Sequence, residues 1–123
     1  MPDRYWVGPT GNWNSVPASN WSTTSGGVGG AAAPTIADNV FFDAASGSVV
    51  VTSNSTSNAA LNLNFTGFTG TWAGTTVMTI GGSLTLGAGM TRTYTGVLTF
   101  NATSLGHTIT CNGKILNANM TFN

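Results

Sequence analysis

The stretch MTIGGSLTLGAGMTRTYTGVLTF (78–100) decides the fold. It holds three apolar-Thr-apolar triplets, Met78–Thr79–Ile80, Leu84–Thr85–Leu86 and Leu98–Thr99–Phe100, separated by Gly-rich turns. On an extended backbone the two apolar side chains of a triplet face one side and the threonine the other. A three-residue strand is too short to stand alone, so the triplets must be stacked on one another. Outward from this stretch the motif recurs as ITC (109–111) and MTF (120–122), and in looser form as VVV (49–51) and LNL (61–63). Met78 to Leu98 spans 20 residues and Leu98 to Met120 spans 22; Leu61 to Leu84 spans 23 and Leu84 to Ile109 spans 25. Two interleaved series with a period in the twenties predict a coil carrying at least two short strands, repeated along an axis. The expected fold is an all-β, parallel β-solenoid of about three to four coils. Met78, Ile80, Leu84, Leu86, Leu98, Phe100, Ile109 and Cys111 are expected to point inward.

Composition agrees. The chain has no Glu and no Gln, and only three Asp, two Arg and one Lys among 123 residues, so it lacks the residues that solvate long helices. Gly, Thr, Asn and Ser supply 62 of the 123 residues. Disorder is argued against by 10% aromatic and 41% hydrophobic content at zero net charge. A neutral surface of this kind resists association poorly, which suits a protein that sits in an assembly. Three basic residues are too few for a nucleic-acid footprint. No apolar run reaches the roughly 18–20 residues of a membrane helix. The start, MPDRYWVGPTGNW, has no apolar stretch behind Arg4 and does not read as a secretory signal.

Texture divides the chain into an N-terminal cap with the first strand (1–46) and a repeat body (47–123), one continuous domain expected to be the N-terminal part of a longer chain. The first part holds three of the four Trp, all four Pro and all three Asp. In TIADNVFFDAAS (35–46), Thr35 and Asp38 imitate a helix capping box, but the β-rich NVFFD favours a strand. Asn-Gly in NGK (112–114) leaves an antiparallel hairpin open there.

Candidate chemistry is sparse. Polysaccharide cleavage of the common kind needs two carboxyl groups across the bond. Asp38 and Asp43, five residues apart, would lie on opposite faces of an extended strand. Asp38 is instead expected to bond backbone amides where the chain enters its first strand. His107 and Cys111 share a strand face about 13 Å apart at ~3.3 Å per residue, too far for a shared metal or a Cys–His dyad. Neither a catalytic residue, a cofactor nor a metal site is expected. The aromatics Tyr5, Trp6, Trp13 and Trp21 fall within seventeen residues. Buried, Trp6, Trp13 and Trp21 would form with Asp38 a structural cap on the first coil. Exposed, Tyr5, Trp6 and Trp13 could stack on sugar rings.

The block RYWVGPTGNWN…NWSTTSGG…PTIADNVFFD resembles a module at the front of parallel β-helix regions in phage tail-fibre and other virion appendage proteins, and in large bacterial surface adhesins. The matching residues are Trp6, Gly8, Gly11, Asn12, Trp13, Trp21, Ser22, Pro34, Asp38, Val40, Phe42 and Asp43, with Pro9 where that module commonly has Gly. The resemblance implies a non-enzymatic structural component of a phage virion: a fibre, spike or capsid-associated appendage, assembled in the host cytoplasm and released by lysis. Its partners would be other virion proteins or further copies of itself, most simply as a homo-oligomer. The alternative it implies is an extracellular adhesin module that binds host-surface glycan through exposed aromatics.

Overall fold

The computed structural model describes residues 2–14, 19–55 and 58–123, so residues 1 and 15–18 of the cap segment lie outside it. The chain winds through β1 (Asp3–Trp6), β2 (Gly11–Asn12) and β3 (Trp21–Ser22), then β4 (Asn39–Phe41), β5 (Val50–Ser53) and β6 (Asn58–Ala60). Next come β7 (Leu63–Asn64), β8 (Thr71–Gly74) and β9 (Met78–Ile80), followed by β10 (Leu84–Thr85), β11 (Thr91–Arg92) and β12 (Leu98–Phe100). The last coil carries β13 (Ile109–Thr110) and β14 (Met120–Phe122). Strands stack into three sheets, ordered β13-β10-β7-β4-β1-β3, β11-β8-β5-β2 and β14-β12-β9-β6. Each full coil therefore contributes one strand to each of three walls. The result is a parallel β-solenoid of about four turns, nearly all β.

Register explains the spacing read from the sequence. Met78, Leu98 and Met120 pair in one ladder, with Thr79, Thr99 and Thr121 alongside them. In the other series Leu84 pairs with Ile109 and with Leu63, not with Leu61. Leu61 sits instead at the corner between β6 and β7, its N–H donating to the Asp38 carbonyl at 2.7 Å. Leu61 and Leu63 have the same parity, so spacing alone cannot tell them apart.

Six of the eight predicted inward residues are buried: Met78, Ile80, Leu84, Leu86, Leu98 and Phe100. Ile109 remains 38% exposed and Cys111 half-buried, because both belong to the last coil and nothing in the described chain stacks on them. Among the described strand pairs only β1 with β3 is antiparallel. The Asn-Gly pair makes a plain turn, with Asn112 at φ 49° and Gly113 at φ 81°, rather than a hairpin. Segment 35–46 forms the expected strand, β4, and then a 3-10 turn over Ala44–Ser46. Asp43 caps that turn: its carboxylate accepts from the Ala45 N–H at 3.0 Å, while the Ser46 hydroxyl accepts from the Asp43 N–H at 3.1 Å. Both orphan donors are satisfied as in a capping box.

The interior is aromatic at its N-terminal end. One inward column runs Trp6, Phe42, Phe65, following the pairing of β1 with β4 and β4 with β7. Phe42 is its hub, with ring centroids 4.8 Å from Phe65, 5.2 Å from Phe68 and 5.6 Å from Trp21. The series continues through Trp72, 5.1 Å from Phe65, to Tyr94, stacked on Trp72 at 4.3 Å. Such pairs prefer offset-stacked or edge-to-face contact, and both occur here. The Trp72 indole donates to Ser53 Oγ at 2.9 Å and the Tyr94 hydroxyl to the Thr76 carbonyl at 2.6 Å, so neither polar tip is stranded.

Candidate functional site

The two ends of the solenoid are built differently. At the N-terminal end β3 runs antiparallel along β1, and the loop behind it closes over the outer edge: Trp21 accepts from the Ala31 N–H at 3.0 Å. Trp6, Trp13 and Trp21 are at most 1% exposed. Trp6 and Trp13 each lie 5.1 Å from Trp21, edge to face, and all three rings rest on Phe42. The Trp6 indole donates to the Gly8 carbonyl at 3.0 Å and the Trp21 indole to the Trp13 carbonyl at 2.8 Å. The Trp13 indole nitrogen is the one buried side-chain N or O among the described residues that lacks a partner. These rings close the first coil from within. Neither Trp6 nor Trp13 presents a face to solvent, which corrects the expectation that they stack on sugars.

Tyr5 differs, because alternation along β1 turns it outward while Trp6 turns in. It is half-buried and stacks on Phe41 at 4.8 Å and 16°. The aromatic pair therefore lies on the flank of the solenoid, not on its cap.

The carboxylates are dispersed into local bonds. Asp38 is 4% exposed; its Oδ2 accepts from the Thr35 N–H at 2.8 Å and the Thr35 hydroxyl at 3.0 Å, closing the turn that leads into β4. Asp43 caps the 3-10 turn and also accepts from the Ser25 hydroxyl at 2.7 Å. Asp3 accepts from the Asn39 carboxamide at 3.2 Å. His107 sits on an exposed corner with Nε2 3.0 Å from Ser104 Oγ, and Cys111 is a free thiol packed against the core. Among the described residues no three His, Cys, Asp or Glu side chains are grouped to hold a metal ion. No described helix is long and apolar enough to cross a membrane.

At the C-terminal end β13 and β14 are the outermost strands of their sheets. Here the apolar side chains are uncovered: Met120 is 37% and Phe122 68% exposed, with Ile115 and Leu105 also open to solvent. Phe122 stacks on Phe100 at 5.2 Å on its inner side only. A depression of about 400 Å³ opens beside them, lined by Phe100, Leu105, His107, Ile109 and Phe122. Where the β2–β5–β8–β11 wall stops, Arg92 donates to the Ile115 carbonyl at 3.0 Å and also to that of Tyr94. This open end and the Tyr5–Phe41 flank both present apolar side chains to solvent. Searches with this chain find no matching protein-family model, no matching curated protein and no matching solved structure.

Proposed function

We propose that this chain is a non-enzymatic structural component of a phage virion appendage, a fibre, spike or capsid-associated protein, acting as the closed end of a β-solenoid stack. The observation that carries the reading is the contrast between the ends. One is plugged by three tryptophans; the other leaves β13 and β14 as unpaired edges with Ile109, Met120 and Phe122 partly bare. Native proteins avoid bare, apolar strand edges because these template association, and solenoids need covered ends to stay soluble. What covers this end is the continuation of a longer chain, a further copy of this one, or another protein of the same assembly. The virion setting rests on the resemblance of the Trp- and Gly-rich N-terminal block. The non-enzymatic reading is supported by the three carboxylates, each committed to a turn, a cap or a neighbouring side chain.

Sedimentation of the 123-residue chain tests this. We expect association at micromolar concentration, and a monomer when Phe122→Asp places a charge in the contact. A wild-type chain that stays monomeric and soluble when concentrated overturns it. The adhesin reading keeps one observation in its favour, the outward aromatic pair Tyr5–Phe41.

A further inference from the structure

On the wall containing β1, β4, β7 and β10, alternation and register set two outward columns. One runs Asp3, Asn39, Asn62, Ser83; the other runs Tyr5, Phe41, Asn64, Thr85. Rungs in such a wall are about 4.8 Å apart. Tyr5 covers one face of the Phe41 ring. The next rungs carry only Asn64 and Thr85, and this step down in size leaves a shallow depression of about 390 Å³ below Phe41. It is lined by Asn39, Phe41, Asn62, Asn64, Ser83 and Thr85.

The first column is locked. Asn62 donates to Asn39 Oδ1 at 2.9 Å, Asn39 donates to Asp3 Oδ1, and Asn62 Oδ1 accepts from the Ser83 N–H at 2.7 Å. In the second column Asn64 Oδ1 accepts from the Thr66 N–H at 2.9 Å and hydroxyl at 2.6 Å, which turns the carboxamide and leaves its Nδ2 hydrogens free to donate. The depression thus offers a partly exposed aromatic ring, a fixed amide donor, the Thr85 hydroxyl, and a Ser83 hydroxyl that accepts from the Thr108 N–H at 3.1 Å and keeps its proton to donate. None of its lining residues is charged, and the carboxylate of Asp3, at the head of the first column, accepts from Asn39. Ligand sites of a few hundred Å³ combine apolar surface with a few placed polar groups in this way.

We propose that this flank binds a neutral, unbranched oligosaccharide, with the C–H face of one sugar ring on Phe41 and its hydroxyls on Asn64, Ser83 and Thr85. A pyranose has the amphiphilic faces this needs, and the lack of a cation in the depression disfavours an acidic sugar. The inference stands apart from the open end and holds whether or not the chain assembles.

The test is titration of the 123-residue chain with cellohexaose, maltohexaose and chitohexaose, and with a polygalacturonate fragment as the acidic control. Binding is read from backbone amide shifts and calorimetry. We expect at least one neutral hexasaccharide to bind at sub-millimolar to millimolar concentration, with shifts centred on Phe41, Asn62, Asn64 and Ser83. Phe41→Ala should weaken binding tenfold or more. Asn64→Asp keeps the acceptor for Thr66 but removes the amide donor, so it should weaken binding several-fold in a chain whose fold is undisturbed. No shift with any neutral probe at millimolar concentration overturns the proposal. So does a shift pattern centred elsewhere, preference for the acidic probe, or wild-type binding by Asn64→Asp.

Discussion

Phe41 and Phe42 are neighbours in sequence and opposites in structure, so truncating each in turn tests the register of the whole N-terminal half. Phe42 is wholly buried and meets the rings of Trp6, Trp13, Trp21, Phe65 and Phe68. Removing a buried Phe side chain costs about 3–5 kcal/mol. With five ring contacts and a rigid cage of strands that cannot collapse, Phe42→Ala belongs at the top of that range. Against a total stability of roughly 5–15 kcal/mol for a domain of this kind, that is a third or more of what holds the fold. Phe41 keeps only the Tyr5 stack on a half-exposed face, a pair of about 0.5–1.5 kcal/mol, so Phe41→Ala should cost about 1–2 kcal/mol. Urea unfolding followed by tryptophan fluorescence measures both, with unchanged m-values as the check on two-state behaviour. If Phe42→Ala does not fold, the milder pair Phe42→Leu and Phe41→Leu should keep the same order. Equal losses, or a larger loss at Phe41, would refute the assignment, because a one-residue slip turns every side chain of β4 to the other face.

Leu98→Ala, at a fully buried rung of the β9–β12–β14 wall, should cost about 2–5 kcal/mol in the same assay, and an unchanged midpoint would count against that wall. Burial pushes the Tyr94 hydroxyl up to about 12. The folded chain then keeps a proton that the unfolded chain releases near pH 10, so this contribution is intact below about 10 and lost as pH rises from there towards 12. Thermal melts at pH 9 and pH 11 should show a drop for the wild type that Tyr94→Phe reduces; identical drops would contradict it.

Two of the three walls were legible in the sequence and the third showed only through VVV (49–51), for a physical reason. The walls holding MTI, LTL and LTF signal themselves through apolar residues two apart, repeated every twenty or so positions. The β2–β5–β8–β11 wall presents Gly11, Val51, Trp72 and Arg92 at equivalent rungs, a mixture with no common hydropathy. It also turns on Gly74, at φ 120°, where a Cβ would stand 2.4 Å from the Ser53 carbonyl, so backbone approach rather than side-chain pattern shapes it. The tryptophans could be found by counting. Their hub, Phe42, was marked with Val40 only by the resemblance; composition does not separate it from Phe41, and alternation along β4 sends one ring in and one out. The outward columns were legible only in part: Asn39 and Asn62 fall in segments read as strands, but which residues stand beside them becomes visible only when the coils are stacked.

The plug at the N-terminal end has a consequence for growth. A solenoid with two bare ends can add copies without limit, end upon end, like an amyloid. With one end closed by β3 and the indole cluster, nothing can stack there, so further coils can be added only beyond β13 and β14, whether by more of the same chain or by a partner. Stacking along the axis is therefore one-directional for this fold. The same tryptophans that fill the first coil thus give the stack of coils its polarity.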